Sequence, residues 1–231
     1  MITNFLKSLL VISVAAVAFS SCSFGGSDIA MASDEGVAKI KEVVKANVNP
    51  DKYKIYRLSW KEDDGDRKLD NILSRINVDY LDKEDNSYSL SIVLQKGKFV
   101  PGEAEKSEQV GYYSYKLTTP IDLEKVNAGN IRTLLGEGGE LLSQQEDGDQ
   151  YVFKSVEEIA FGIVPVMKNY ENAWDGWKDE YKARYKQLKQ TFKLNFTKKD
   201  EREEVRGKHV WTDYYSVPFV VNEAGKVEIE E

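Results

Sequence analysis

Three stretches between Tyr56 and Leu94 carry apolar residues at every second position, and this period limits the possible folds more than any other feature of the chain. Tyr56, Leu58 and Trp60 alternate with Arg57 and Ser59; Ile76, Val78 and Tyr80 alternate with Asn77 and Asp79; Tyr88, Leu90, Ile92 and Leu94 alternate with residues that include Ser89 and Ser91. Successive side chains on a strand point to opposite faces, so each run predicts a strand with one dry face and one wet face. Polar turns at Glu62 to Asp66 and Asp82 to Asn86 join the runs into a three-strand antiparallel meander. The dry face needs a cover, and the preceding segment supplies one. Ser33 is placed to cap a helix, and Asp34 and Glu35 suit its positive end. Val37, Ile40, Val44 and Val48 recur at steps of three and four, and Asn49-Pro50 ends the run. A helix on an antiparallel sheet is a stable two-layer unit.

The second half repeats this plan. Ile131, Leu134, Leu135, Leu141 and Leu142 predict a helix, weakened or broken by Gly136, Gly138 and Gly139. Asp147-Gly148 marks a turn, and Tyr151 and Phe153 begin a strand. Phe192, Leu194 and Phe196 form another, and Trp211, Tyr215, Val217 and Phe219 fall on the odd positions of a long final strand. Residues 76–94 and 192–219 share a strand, charged turn, strand pattern, with Lys198 to Glu204 as the second turn. Residues 155–188 read two ways. Ser155 and Glu158 have capping-box spacing, but Gly162 and Pro165 would interrupt a helix there. Trp174, Trp177, Tyr181, Tyr185 and Leu188 sit at helical spacing and predict an inserted helix over 168–188. The fold class expected is α+β, with two tandem helix-on-antiparallel-sheet units at 34–122 and 123–231. That arrangement resembles the PepSY-like and beta-lactamase-inhibitor-like modules of envelope proteins. The resemblance is architectural and implies no particular site residue.

The N-terminus directs the chain elsewhere. Lys7 is the only charge before Cys22, and an apolar run from Leu9 to Phe19 follows it. About eleven apolar residues make a signal-peptide core, against the ~20 a membrane-spanning helix requires. Phe19, Ser20, Ser21 and Cys22 resemble a lipobox, with Phe19 departing from the usual Leu, Val or Ile. The resemblance covers residues 1–22 and implies cleavage before Cys22, diacylglycerol on its thiol and acylation of the new amine. Two or three acyl chains anchor firmly where one holds marginally, at ~0.8 kcal/mol per buried methylene. Residues 1–21 are thus the expected signal peptide. Residues 22–33, small and rich in Gly and Ser, are the expected lipidated tether. The expected location is the cell envelope, anchored to the outer membrane.

Cleavage would leave 210 residues and, with one lysine removed from 32 basic against 39 acidic residues, would shift the formal charge from −7 to −8. An acidic chain is unsuited to nucleic acid. Cys22 is the only cysteine, and once acylated it leaves no thiol for a disulfide, a nucleophile or a metal. His209 is the only histidine, so a zinc site with two or three histidines is excluded, and no Gly-x-Ser-x-Gly elbow accompanies it. Gly136 to Glu140 is glycine-rich but acidic, the wrong charge for a phosphate cradle. The acidic turn at 62–66 fails the EF-hand pattern, since its first and twelfth positions would be Trp60 and Asn71. The turn acids read instead as solvated. Neither a cofactor nor a metal is expected.

Aromatic residues carry the remaining signal. Tyr112, Tyr113 and Tyr115 form one group, Trp174 and Trp177 another, and Tyr214 and Tyr215 a third. Adjacent tyrosines on a strand face opposite ways, so one of Tyr214 and Tyr215 should point outward. Trp174, Trp177, Tyr214 and Tyr215 are therefore the candidate partner-binding residues, with core filling as the plain alternative. The functional expectation is a non-enzymatic lipoprotein that binds a protein or glycan partner. A carboxylate-dependent glycan hydrolase and a structural spacer are the alternatives.

Overall fold

The computed structural model describes residues 28–108, 111–200, 204–206 and 209–230, so Cys22 and the leader lie outside the described residues. The chain forms α1 (Asp34–Asn47), β1 (Lys54–Lys61), β2 (Arg75–Leu81), β3 (Ser87–Gln95), β4 (Lys98–Pro101) and β5 (Glu105–Lys106). There follow α2 (Ala128–Ser143), β6 (Tyr151–Gly162), α3 (Asp179–Ala183) and β7 (Lys189–Lys198). The last elements are β8 (Glu204–Arg206), β9 (His209–Trp211), β10 (Tyr215–Val221) and β11 (Val227–Ile229). Nine strands make one antiparallel sheet, ordered β11-β10-β7-β6-β1-β2-β3-β4, with β5 beside β3, while β8 and β9 pair separately. The fold is a mixed α and β one, and the strands after α1 and those after α2 meet at the β1–β6 pairing, where Leu58 opposes Phe161 and Trp60 opposes Ile159.

One face of the sheet carries the core. Leu58, Trp60, Ile76, Val78, Ile92, Ile159, Phe161, Phe192, Leu194 and Phe219 pack in a single cluster with Val37, Ile40 and Val44 of α1 and Ile131, Leu134 and Leu135 of α2. Ser33 caps α1 by accepting from the Gly36 N–H at 2.9 Å, as its place before two acids predicts. Trp60 is fully buried, stacks on Phe161 at 5.6 Å and donates its indole N–H to the Met31 carbonyl at 3.1 Å.

Helix α2 runs unbroken through Gly136, Gly138 and Gly139. Burial of its apolar face outweighs their low propensity. Gly138 lies against the core, where an added Cβ would meet Phe192 Cε2 at 2.8 Å, whereas at Gly139 nothing lies within 4 Å. Gly139→Ala is therefore expected to stabilise the protein by about 0.5–1 kcal/mol. Gly138→Ala is expected to destabilise it by about 1–2 kcal/mol. Urea midpoints of the two variants should move in opposite directions.

Four expectations are corrected. The tether does not reach residue 33: Ala30, Met31 and Ala32 are buried, Ala30 pairs with Ile72, and the Leu73 N–H donates to the Ile29 carbonyl at 2.8 Å. Ser155 and Glu158 lie in strand β6, not at a helix start. The inserted helix over 168–188 is reduced to the five-residue α3 and two 3-10 turns at Lys168–Tyr170 and Trp174–Gly176. The long final strand is interrupted at 212–214, so that Trp211 lies in β9 and Tyr215 opens β10. His209 is the first residue of β9.

Candidate functional site

Helices α1 and α2 cover one face of the sheet, and the other, the open face, carries the polar half of each alternation. By register, Arg57 and Ser59 of β1, Asn77 and Asp79 of β2, Ser89 and Ser91 of β3 and Glu158 of β6 lie on this face. With Glu103 and Glu105 from the β4–β5 edge they line a recess of about 400 Å³. A second hollow of about 250 Å³, lined by Tyr56, Ala160, Gly162, Pro165 and Thr191 among others, adjoins it through Arg57. Ala160, Gly162 and the serines are small, which deepens the surface without opening a hole in the core. Within the recess the Ser89 hydroxyl donates to Asp79 at 2.7 Å. Four carboxylates and a single guanidinium thus line the recess, with Lys61 and Lys193 flanking Glu158 in register.

The two ends of the open face are closed by loops. At the Tyr56 end, residues 111–118 pair with 163–168: Tyr113 bridges Met167, and the Ser114 N–H donates to the Val166 carbonyl at 2.7 Å. Lys54 fastens this layer by donating to the Tyr115 and Thr118 carbonyls at 2.6 and 2.9 Å. Asp85 accepts from the Tyr115 N–H at 2.7 Å and pairs with Lys168. Leu81, opposite Lys54 in the strand pairing, and Val166 within the layer are fully buried. A β-bulge between Ile55 and Arg57 turns Tyr56 toward the open face, contrary to its expected place beside Leu58, and its hydroxyl meets Ser87 at 2.7 Å.

At the Glu62 end, the loop that follows β1 folds over the sheet. Glu62 is 1 % exposed, not part of a solvated turn. Its carboxylate accepts from Ser155 and Asn195 at 2.8 Å each and from the Asn71 N–H at 3.2 Å. Lys68 lies 3.5 Å from Glu62 and 3.4 Å from Glu157. Burial pushes the Glu62 carboxyl above its ordinary range, against the opposing hydrogen bond from Ser155 and the charge of Lys68. Asn71, at φ 60°, turns the loop so that its side chain accepts from the Val156 N–H at 3.1 Å.

The aromatic candidates separate. Trp174 and Trp177 are half-buried, 5.4 Å apart, and with Tyr170 they cover Tyr185, which is 4 % exposed. They belong to the segment after β6, beyond the Tyr56 end. Tyr214 and Tyr215, both exposed, sit at the Glu62 end: Tyr214 over Lys68, Tyr215 against the Tyr151 ring at 5.3 Å. Tyr214 and Tyr215 stand beside residues 153–157 of β6, whereas the Trp174–Trp177 segment follows its Gly162 end, and among the described residues no ring contact joins the two groups, so the four residues do not form one surface. Cys22 lies outside the described residues.

Sequence reasoning identified a wet face but not its recess. Arg57, Asp79 and Glu158 looked like ordinary solvated positions, and only the register of β1 with β2 and β6 brings them together. Among the described residues, no group of three His, Cys, Asp or Glu is placed to hold a metal ion. No described helix is long and apolar enough to cross a membrane. Comparison with protein-family models, curated proteins and solved structures finds no match.

Proposed function

We propose that the chain is a cell-envelope lipoprotein, anchored by lipid on Cys22 to the outer membrane, that binds a protein partner on the open face of its sheet and catalyses no reaction. The uncovered, indented face carries this reading. A nine-stranded sheet with α1 and α2 on one side leaves the other available, and among the described residues loops close the ends of that side while its middle stays bare. The balance of Asp79, Glu103, Glu105 and Glu158 against Arg57 selects a partner that presents lysine or arginine. We also read the fold as two tandem units. Helix α1 leads into β1 to β4 and α2 into β6, β7, β10 and β11, and the sheet runs outward from the β1–β6 seam in the same order on both sides.

The test is capture of a partner from solubilised envelopes by the wild-type chain and by a variant carrying Asp79→Lys and Glu158→Lys. The variant should bind at least about tenfold more weakly, and wild-type binding should fall as salt rises. Equal capture by both chains would remove the recess from the reading. The four carboxylates also motivate a second reading, a carboxylate-dependent glycan hydrolase. Release of reducing ends from cell-wall glycan by the wild-type chain, lost in the variant, would establish that reading. Recovery of a stable complex that is indifferent to the recess would favour the spacer.

A further inference from the structure

The first described residues are fastened at the Glu62 end of the sheet. Asp28 accepts two hydrogen bonds from the Arg67 guanidinium, at 2.8 and 2.9 Å, and Ile29 and Ala30 are held by Leu73 and Ile72. Cys22 precedes Asp28 by six residues, so its sulfur lies within about 21 Å of that point, even along a fully extended chain. The Tyr56 end is farther away by the run from Tyr56 along β1 to Glu62, about 20 Å.

Beside Arg67 stands Lys68, under the Tyr214 ring at 5.5 Å. Tyr214 is 42 % exposed, Tyr215 38 % and Val152 41 %. Lys198 lies over the rings of Tyr151 and Tyr215 at 5.9 and 5.5 Å. The exit point of the chain and this patch of phenols and ammonium groups therefore occupy the same end of the molecule. Tyrosine has an apolar body and a polar tip, which suits the boundary between acyl chains and headgroups, and lysine complements anionic headgroups. The acidic chain as a whole is not drawn to such a surface. A short covalent tether supplies the proximity instead.

We propose that the Glu62 end faces the bilayer in the anchored protein, with Tyr151, Val152, Tyr214, Tyr215 and Lys198 resting on the headgroup layer and the Trp174–Trp177 segment directed away from it. This orientation rests on lipid attachment at Cys22. The open face then stands beside the membrane, not against it, and stays accessible to a partner.

Hydroxyl-radical footprinting tests the proposal. Protein purified from membranes is reconstituted into phosphatidylethanolamine–phosphatidylglycerol vesicles and compared with the unlipidated chain 23–231 in solution. Tyr214 and Tyr215 should lose at least about threefold in reactivity on the vesicles, while Tyr181, which is 55 % exposed, should be unchanged, since phenols set into the headgroup layer are shielded. Acylated Cys22 with Tyr214 and Tyr215 as reactive as before, or with Tyr181 as the protected residue, overturns the orientation alone. A bare Cys22 thiol in the mass spectrum overturns the anchor and the orientation together.

Discussion

Trp60→Ala is expected to destabilise the protein by about 3–5 kcal/mol, the range for removing a large buried aromatic side chain. Single domains are stable by roughly 5–15 kcal/mol, so the variant should sit close to unfolding at room temperature. Burial and two contacts combine at this position. The indole is fully buried, lies nearly parallel to Phe161 across the β1–β6 pairing, and holds the Met31 carbonyl with its N–H. Trp60→Phe separates the contributions. It retains most of the packing but leaves the Met31 carbonyl without its donor, an expected cost of about 1–3 kcal/mol. Urea denaturation of the two variants and the wild type checks both values. A Trp60→Ala midpoint within experimental error of wild type would show that the indole does not hold the two halves of the sheet together.

Glu62→Ala is expected to cost about 2–4 kcal/mol, because it strands Ser155, Asn195 and Lys68 around an empty buried position. The lower part of that range applies if Lys68 turns wholly to Glu157, its second partner. Glu62→Gln keeps the shape and most of the hydrogen-bonding positions, and it reveals the titration. Burial raises the Glu62 carboxyl above its ordinary value of 4.5. The folded state thus holds this proton more tightly than the unfolded chain does. The resulting stabilisation is complete below the unfolded value and is lost as pH rises through the folded one. The wild-type chain should therefore lose stability relative to Glu62→Gln as pH increases above about 4.5. A series of urea midpoints from acid to neutral pH for both chains measures this difference, and a constant difference would show that Glu62 does not titrate in that window.

The fold was legible where strands are regular. In β2 and β3 the alternation of Ile76, Val78 and Tyr80 and of Tyr88, Leu90 and Ile92 maps directly onto paired positions. It was obscured in β6 by two bulges, between Phe153 and Ser155 and between Val156 and Glu158. Phe153, Val156, Ile159 and Phe161 face the core at steps of three, three and two, a spacing that imitates a helix. The same device in β1 moved Tyr56 to the open face. In the segment after β6, Trp174, Trp177 and Tyr185 do cluster as their spacing suggests, but around short turns instead of one helix. The recess was not legible because its residues come from five separate strands or edges. Glu62 was misread because a run of acids after a strand looks the same in sequence whether it meets water or folds back over the sheet.

Arg57 and Ser59 stand on one side of the β1–β6 seam and Glu158 on the other, and their strands lie about a hundred residues apart along the chain. Nine of the ten residues that line the recess come from the strands and edges after α1, and Glu158 alone comes from the strands after α2. A guest that engages Glu158 as well as Arg57 bridges the seam, and at a hundred times its dissociation constant it would strengthen the folded form by about 2.7 kcal/mol. Occupancy and stability are thereby linked: a substitution that weakens the β1–β6 pairing also weakens retention of such a guest, and the guest in turn resists unfolding.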